Sequence, residues 1–472
     1  MTRATDELIW LPVRELAARI ARGEISAREA VAASLERIEA VNPRLNAFCF
    51  VYPEEALAQA EAADAARARG KALGSLHGVP IAIKDFTPTA GKRTTRGSVA
   101  LEHWVPEADP VVVRRLRAAG AILVGKTTTP EFAHASWTHS PLWGHTRNPW
   151  DPSRTPGGSS GGAGVAVATG CVPLAEGTDM GGSVRIPAAW CGVVGLKPSL
   201  GRIPMDIVGT CFDQISHFGP LARGVDDAAL FLEATQGPDD ADIQSLPAGS
   251  EGLSTLPGEP KDWRIALSID LGFCALHPEV EARVRDAARA LREAGAVVEE
   301  VELGWTRAVQ DGWLVLWQVY FAALVGEHLE RWRERMDPEV VKLIEAGRKV
   351  DAAGYKRLEL ERTRQWHRLA AVLGRQHALL CPTMAQPPQP VGGVDSDWGG
   401  DLPDGRAAFL DMTACFNAFA QCPALSVPCG FTDDGLPVGV QVVGRWFEDR
   451  SVLRIGSVIE RALGLGARRP PI

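Results

Sequence analysis

The chain has 472 residues, of which 46% are hydrophobic and 23% are charged, and this balance excludes a disordered or fibrous protein. Its formal net charge is -8 and its Lys and Arg residues are scattered, without the basic stripe that nucleic-acid binding requires. Residues 1–10 lack the apolar core of a signal peptide, and no apolar stretch approaches the length of a membrane-spanning helix. We therefore expect a cytoplasmic protein with neither a nucleic-acid nor a membrane partner.

The first 70 residues are predicted to be a helical region that is separate from the chemistry. Ser26 and Glu29 form a capping box, and the helix that follows them is expected to end at Asn42-Pro43. A second, Ala-rich helix is predicted over 54–69.

The following segments alternate between strands and helices, which is the pattern of an α/β fold. Residues 79–83 alternate in hydrophobicity and predict a strand that ends at Lys84. A helix is predicted over 109–120, followed by a short buried strand over 121–124. Residues 162–169 are rich in Gly and Ala, which suits a helix packed closely against a sheet.

The second half begins with a stretch rich in Gly, Pro, Ser and Asp. This stretch, 237–261, is predicted to be a surface excursion. Apolar segments return after it at 264–269 and 378–381, and two further strands are predicted around a turn at 433–435, over 424–427 and 438–443.

Cysteine and histidine spacing indicates neither a disulfide framework nor a metal site. The nine cysteines form no short-spaced metal pattern and no even-numbered set, so we predict reduced and mostly buried thiols. His134 and His139 lack the intervening glutamate and the third ligand of a zinc protease motif. We expect no metal and no other cofactor.

Two Gly-Gly-Ser units carry the chemical information. The first lies in residues 155–162, TPGGSSGG, and the second in residues 177–187, GTDMGGSVRIP. Glycines before a serine let backbone N–H groups converge on one point, because no side chain blocks unusual dihedral angles or the approach of a ligand. Either unit alone would be typical of a flexible loop, but together they indicate an oxyanion-binding site.

These two blocks and the strand that ends at Lys84 resemble the amidase signature family in order and spacing, including its bacterial aryl and alkyl amidases and urethanase-type members. Residues 425–428, LSVP, and 435–439, GLPVG, extend the similarity. The resemblance implies a single domain over 1–472, built on a large mixed β-sheet sandwiched between α-helical layers.

The resemblance also implies a Ser-cisSer-Lys triad, with Ser183 as nucleophile, Ser159 as proton relay and Lys84 as base. The peptide bond between Gly158 and Ser159 is cis in relatives. The chemistry agrees, since a serine hydroxyl attacks a carbonyl only when a neighbouring group takes its proton, and lysine can take it only when neutral. An apolar strand that carries Lys84 into the interior would favour that neutral form.

The second block is expected to bind the oxyanion formed during acyl transfer. The expected donors are the backbone N–H groups of Met180, Gly181, Gly182 and Ser183. Asp179 and Arg185 are expected to shape this turn, and Ser160 is expected to support Lys84.

Two further motifs match enzyme classes that their context excludes. Residues 120–127, GAILVGKT, fit the Walker A pattern, but a helix precedes the first glycine and the intervening residues are the predicted strand. Residues 157–161 fit the G-x-S-x-G pattern of α/β-hydrolases, but no strand precedes them and the second Gly-Gly-Ser unit would be unexplained.

Aromatic residues favour a small-molecule substrate with an apolar or aromatic group, either an amide or a carbamate. The candidate substrate-binding residues are Trp137, Trp143, Trp313 and Trp317. Trp313, Trp317 and Phe321 also lie at helical spacing, so a place in the core is an equal alternative for them.

The competing function within the family is the amidase subunit of a tRNA-dependent glutamine amidotransferase. Such a subunit would need paired charges to hold a zwitterionic amino acid. A binding module without catalysis is disfavoured because Lys84, Ser159 and Ser183 are all present. A homodimer is left open.

Overall fold

A computed structural model describes residues 7–249, 252–253 and 259–472, and within them helices cover one large mixed sheet. The strands are β1 (Phe48–Val51), β2 (Pro80–Lys84), β3 (Ile122–Thr127), β4 (His139–Ser140), β5 (Gly144–His145), β6 (Leu174–Asp179), β7 (Val194–Lys197), β8 (His217–Ala222), β9 (Arg264–Leu267), β10 (Val297–Glu300), β11 (Ala378–Pro382), β12 (Ala424–Phe431) and β13 (Pro437–Gly444).

Eleven of these strands form the sheet, in the order β1-β3-β2-β6-β8-β7-β12-β13-β11-β9-β10, while β4 and β5 form a separate ribbon. β2 pairs in parallel with β3 and β6, and β9 pairs in parallel with β10 and β11. The other neighbours in the sheet are antiparallel. The α/β class and the predicted large mixed sheet are therefore confirmed.

The helices pack on this sheet and on one another. They are α1 (Val13–Arg22), α2 (Ala27–Leu45), α3 (Pro53–Ala68), α4 (Val111–Ala118), α5 (Gly161–Ala168), α6 (Arg185–Cys191), α7 (Val225–Thr235), α8 (Pro278–Glu293), α9 (Ala308–Leu324), α10 (Leu329–Trp332), α11 (Pro338–Gly347), α12 (Ala352–Leu373) and α13 (Asp449–Leu463).

The strands β2, β3 and β6 are buried on both faces along their whole length. Runs of apolar residues on both sides of the backbone are typical of parallel strands covered by helices. Because the carboxyl ends of parallel strands meet at one edge of a sheet, the residues that end β2 and β6 come together there. Lys84 ends β2 and Asp179 ends β6, so the predicted base and a residue of the second Gly-Gly-Ser block meet at this edge.

Helix α5 starts directly after the first Gly-Gly-Ser unit and is buried at every residue. A Cβ atom at Gly162 would lie 2.5 Å from both the carbonyl oxygen of Ala47 and the amide nitrogen of Thr128. The glycine therefore permits a close approach that any side chain would prevent. The predicted close packing of this helix is confirmed.

The N-terminal region differs from its prediction in two respects. Residues 1–70 were predicted to be helical, but β1 lies within them and pairs with β3 at the edge of the large sheet. One helix also has a different end. Ser26 and Glu29 form the predicted capping box, but α2 continues through Pro43 and ends at Leu45. Its end is fixed by Asn46, which adopts a left-handed conformation with φ of 52°. Pro43 is tolerated because it lies in the last turn, where it removes one hydrogen bond without breaking a long helix.

Three further expectations can be compared with the structure. All nine cysteines are free and seven are buried, as predicted. Residues 237–249 contain no helix or strand, whereas 250–251 and 254–258 of the predicted surface excursion lie outside the described residues. Among the described residues no single helix is long and apolar enough to cross a membrane, and the bent pair Ala308–Leu324 and Gly326–Arg335 passes that test by length and composition only.

Candidate active site

The fold brings the two Gly-Gly-Ser units side by side. The backbone N–H of Ser160 donates to the carbonyl of Ser183 at 3.0 Å, which places the neighbouring Ser159 next to the second unit. The peptide bond between Gly158 and Ser159 is cis, as the sequence resemblance implies. Ser159 is fully buried, whereas Ser183 is half-buried and lines a cavity.

Lys84 reaches this point from the end of β2 and is fully buried. Its Nζ donates to Ser159 Oγ at 2.6 Å and to Thr178 Oγ1 at 2.9 Å. Because neither partner is charged, the ammonium form of Lys84 has no direct counter-ion among its hydrogen-bond partners. Burial lowers the pKa of Lys84 to about 7, although the Glu176 and Asp179 carboxylates act in the opposite direction.

With this lowered pKa, a substantial fraction of Lys84 is the neutral amine at neutral pH. An amine with an ordinary pKa near 10.4 would be almost entirely charged there and could not accept a proton. Lys84 can therefore take a proton from Ser159 once the direction of their hydrogen bond is reversed.

Asp179 and Arg185 form a fully buried ion pair under the second unit. Arg185 Nη2 donates to Asp179 Oδ1 at 2.8 Å and Arg185 Nε donates to Asp179 Oδ2 at 3.0 Å. Burial alone would raise the pKa of Asp179, but the Arg185 guanidinium outweighs it and holds that pKa well below its usual range. Asn417 also donates to Asp179 Oδ1, at 2.9 Å.

The same carboxylate holds the backbone of the turn. The N–H of Gly182 donates to Asp179 Oδ1 at 2.9 Å and the N–H of Val184 donates to Asp179 Oδ2 at 3.2 Å. Gly182 has φ of 120°, and a Cβ atom there would lie 1.9 Å from Thr413 Oγ1, so only glycine fits. Asp179 therefore occupies the position expected for a residue that shapes this turn.

These bonds correct the expected set of oxyanion donors. The N–H of Gly182 is already directed at Asp179 and is not free to bind an oxyanion. Among the described residues, no acceptor is found for the N–H groups of Met180, Gly181 and Ser183. These three groups are the candidate donors.

Ser160 differs from its expected role. Its hydroxyl donates to the carbonyl of Thr178 at 3.4 Å and does not bond to Lys84. The contact expected of Ser160 is made by Thr178, the middle residue of the Gly-Thr-Asp run. Ser160 therefore reaches Lys84 only through Thr178.

A cavity of about 450 Å³ opens at Ser183. Helices α9 and α11 pack against each other and contribute much of its wall. The apolar part of the wall includes Ile186, Trp313, Leu314, Trp317, Trp398 and Phe409. The cavity is thus apolar over much of its surface, with the nucleophile candidate at one side.

Trp313 and Trp317 line the cavity, and each is also fixed by the protein. Trp313 Nε1 donates to the carbonyl of Met180 at 2.9 Å, and its ring lies so close to Gly181 that a Cβ atom there would be 2.2 Å from Cζ2. Trp317 Nε1 donates to the carbonyl of His134 at 3.3 Å. The two rings stack with centroids 5.8 Å apart. Phe321 is fully buried in the core, and Trp317, which is 4% exposed, belongs to the same core cluster while it also lines the cavity.

Trp137 and Trp143 do not line this cavity. Trp137 is buried against Trp190 and donates to the carbonyl of Pro390 at 3.0 Å. Trp143 packs edge-on against Phe50 and donates to Thr95 Oγ1 at 2.9 Å. Ala135 and Ser136, directly before Trp137, lie against Gly158 and line the cavity, but the Trp137 side chain packs elsewhere, and Trp143 lies in the turn between β4 and β5.

The stretch that fits the Walker A pattern, residues 120–127, contains a buried strand of the sheet. Residues Lys126 and Thr127 belong to β3 and are fully buried, so this stretch is a strand, as predicted, and not a phosphate loop. The G-x-S-x-G stretch ends at the start of α5, and no strand of the described chain immediately precedes it.

Sequence reasoning missed two residues of the site. Thr178 contacts Lys84, and Glu176 accepts the backbone N–H of Lys84 at 2.9 Å. Both lie on β6, and the signal was a carboxylate and a hydroxyl at alternate positions of a fully buried strand that precedes the second Gly-Gly-Ser unit.

Known proteins are similar to this chain over most of its length. The family profile described as Amidase matches residues 29–453. The chain is 38% identical to a glutamyl-tRNA(Gln) amidotransferase subunit from Chloroflexus aurantiacus, over 98% of this chain and 99% of that protein. It is 36% identical to an acylamidase from Rhodococcus erythropolis, over 98% of each chain.

A solved structure leads to the same family. The crystal structure of a bacterial aryl acylamidase of the amidase signature enzymes superposes with a TM-score of 0.90 at 30% identity, covering 98% of this chain and 99% of that one. The chain therefore belongs to the amidase signature family and is an enzyme that hydrolyses amide carbon–nitrogen bonds.

Proposed function

We propose that Ser183 is the nucleophile, Ser159 the relay and Lys84 the base of an amidase that acts on substrates with an apolar or aromatic group. The observation that carries the proposal is the hydrogen bond of 2.6 Å between Lys84 Nζ and Ser159 Oγ, at a fully buried position. A buried lysine bonded to neutral hydroxyls is poised to exchange protons with them.

Acylation starts with neutral Lys84. Lys84 accepts the proton of Ser159, and Ser159 accepts the proton of Ser183 as the Ser183 oxygen bonds to the substrate carbonyl carbon. The N–H groups of Met180, Gly181 and Ser183 donate to the oxyanion, where a single well-placed donor is worth about 10² to 10³ in rate. The carbon–nitrogen bond then breaks, and the proton returns along the same path to the departing amine.

Deacylation repeats this path with water in place of the hydroxyl of Ser183. The proton of the water passes through Ser159 to Lys84 while the water oxygen bonds to the acyl carbon. The ester bond to Ser183 then breaks, and Ser183 regains its proton. A carbamate would pass through the same kind of tetrahedral oxyanion, so carbamates are included in the proposed substrate class.

The walls of the cavity support an uncharged, apolar substrate. The indole rings of Trp313 and Trp317 face it, and such rings offer large apolar contact areas. Among the described residues that line the cavity there is no arginine, and the lysine there, Lys342, is 63% exposed and paired with Glu339. The carboxylate of a zwitterionic amino acid would therefore lack the fixed cation that binds it bidentately.

The second candidate is the amidase subunit of a glutamine amidotransferase. It is favoured by the 38% identity to the Chloroflexus aurantiacus protein over nearly the whole of both chains. Asp395 and Asp411 also line the cavity and could hold an amino group. Glutamine hydrolysis by the isolated chain distinguishes this candidate from the first.

The triad is tested by covalent labelling and by substitution. A fluorophosphonate should attach to Ser183. Ser183→Ala should reduce turnover by at least about 10³, because replacing any one member of a catalytic unit removes most of the enzyme's activity. Ser396→Ala is the matched control, since Ser396 is an exposed serine at the same cavity. Labelling should persist in this control. An adduct on a residue other than Ser183, or near-native turnover in Ser183→Ala, would refute the assignment.

The substrate class is tested by comparing kcat/KM for an aryl anilide, a phenyl carbamate and glutamine on the isolated chain. The anilide or the carbamate should be the best substrate. Glutamine as the best of the three would overturn the proposal in favour of the amidotransferase subunit.

A further inference from the structure

A second buried lysine lies next to the proposed base, and the mechanism above does not use it. Lys126 lies on β3 and is paired with Ile83 of β2, the residue that precedes Lys84. It is fully buried. Its ammonium donates to three neutral oxygens, which are Thr87 O at 2.5 Å, Thr89 Oγ1 at 3.1 Å and Thr94 Oγ1 at 3.1 Å.

Glu176 lies on β6, which pairs with β2 on the side opposite to β3, and it is itself buried. Its Oε2 accepts the backbone N–H of Lys84 at 2.9 Å, and its Oε1 accepts the hydroxyl of Thr87 at 2.8 Å. The carbonyl of the same Thr87 accepts from Lys126. One threonine therefore links the carboxylate to the second lysine, while the carboxylate also holds the backbone of the first.

The charges of this network act on one another because all of them are shielded from water. Burial raises the pKa of Glu176, whereas its two hydrogen bonds and the nearby charges of Lys84 and Lys126 favour the ionised form. Burial lowers the pKa of Lys126, and the Asp85 carboxylate acts in the opposite direction. The other titratable groups that face the network are Asp85 on the loop that follows β2, Asp179 on β6, Cys49 on β1 and Arg96 in that same loop.

Electrostatics gives the two residues opposite effects on Lys84. An ionised Glu176 without compensation would stabilise the ammonium form of Lys84 and keep it from acting as a base. The ammonium of Lys126 offsets that carboxylate in part, since the Asp85 carboxylate also acts on Lys126, and more strongly than Glu176 does. Asp179 contributes less, since its charge is matched by Arg185.

We propose that Glu176 and Lys126 are positioning residues that act through Lys84, with Lys126 offsetting the charge of the Glu176 carboxylate so that Lys84 can act as the base. The inference rests on the proposed role of Lys84 as base. In addition, Glu176 fixes the end of β2 by its bond to the backbone of Lys84.

The test measures the rate of fluorophosphonate labelling of Ser183 as a function of pH, which reports activation of the nucleophile without any choice of substrate. Glu176→Gln keeps the shape of the side chain and removes its charge, so the midpoint of the profile should move down by about one pH unit. Lys126→Met keeps the length of the side chain and leaves both Glu176 and Asp85 uncompensated, so the midpoint should move up by about the same amount. The double variant should have a midpoint between those of the two single variants.

A purely structural role would lower the labelling rate at every pH without moving the midpoint, and that outcome would overturn the inference. Midpoints that move in the same direction in both single variants would also overturn it. If Lys126→Met does not fold, Glu176→Gln decides by itself, since an unchanged or raised midpoint contradicts the proposal. Wild-type protein that takes no label at Ser183 would overturn the proposed function, and this inference with it.

Discussion

Replacing Asp179 by asparagine should lower the stability of the protein and abolish its activity. Asp179 and Arg185 are fully buried and joined by two hydrogen bonds of 2.8 and 3.0 Å. In Asp179→Asn, Arg185 keeps neutral acceptors such as the carbonyl of Thr413, at 3.0 Å, but loses its counter-ion. Removing one partner of a buried ion pair costs about 3–5 kcal/mol, a large part of a typical total stability of about 5–15 kcal/mol.

The assay is the free energy of unfolding from urea titration, with an exposed ion pair as the control. Arg285 and Glu281 are four residues apart on α8, and both side chains are 42% exposed. Glu281→Gln should cost only about 0.3–0.5 kcal/mol. A loss of less than about 1 kcal/mol in Asp179→Asn would put the buried pair in the range of exposed pairs and refute the reasoning.

The pH dependence of the difference gives a second check. The pKa of Asp179 in the folded protein lies below its unfolded value of about 3.9, so the pair contributes stability above that pH. This stability is lost as the pH falls further towards the folded pKa. The difference between wild type and Asp179→Asn should therefore be constant near neutral pH and shrink below about pH 4.

Three further outcomes are expected. Because the amine of Lys84 must be neutral and burial lowers its pKa to about 7, kcat/KM should rise with pH through about 7; a flat profile between about pH 6 and about pH 8 would contradict this role. Trp313→Ala should reduce kcat/KM for an aryl anilide by about tenfold or more, because this ring lines the cavity. Trp137→Ala should leave KM unchanged and lower the unfolding free energy by about 3–5 kcal/mol, because that ring is buried outside the cavity. Equal effects of the two variants on KM would contradict the assignment of Trp313 to the cavity and of Trp137 to the core. Gly162→Ala should destabilise the protein by about 1–3 kcal/mol in thermal melts, because its Cβ would lie 2.5 Å from two backbone atoms. The control Gly312→Ala, in open space on α9, should stabilise the protein by about 0.5–1 kcal/mol in the same experiment. A Gly162→Ala protein as stable as wild type would contradict the close approach of α5 to these backbone atoms.

Features coded by contiguous residues could be predicted from the sequence. The capping box at Ser26 and Glu29, the end of β2 at Lys84 and the Gly-rich start of α5 each depend on neighbours within one turn or one strand. Local patterns of this kind fix local geometry. The alternation of strands and helices then predicted the α/β class.

Contacts between distant segments could not be predicted in this way. Trp137 precedes Ser159 by only a short stretch but lies outside the cavity, whereas Trp313 reaches the carbonyl of Met180 from far along the chain. Nothing in the local sequence states that the N–H of Gly182 is directed at Asp179, since this depends on the dihedral angles of the turn. Glu176 was missed for a different reason, because a carboxylate in a buried strand is informative only once its neighbours Lys84 and Thr87 are known.

The contact between Trp313 and the second Gly-Gly-Ser unit ties substrate choice to catalytic rate. The same indole that forms the wall of the cavity is bonded to the carbonyl of Met180 and packed on Gly181. A smaller residue at this position would enlarge the cavity and at the same time release the backbone that carries the proposed oxyanion donors. Directed evolution towards bulkier substrates should therefore gain more from Leu343 on α11, which lines the cavity from a helix outside that turn.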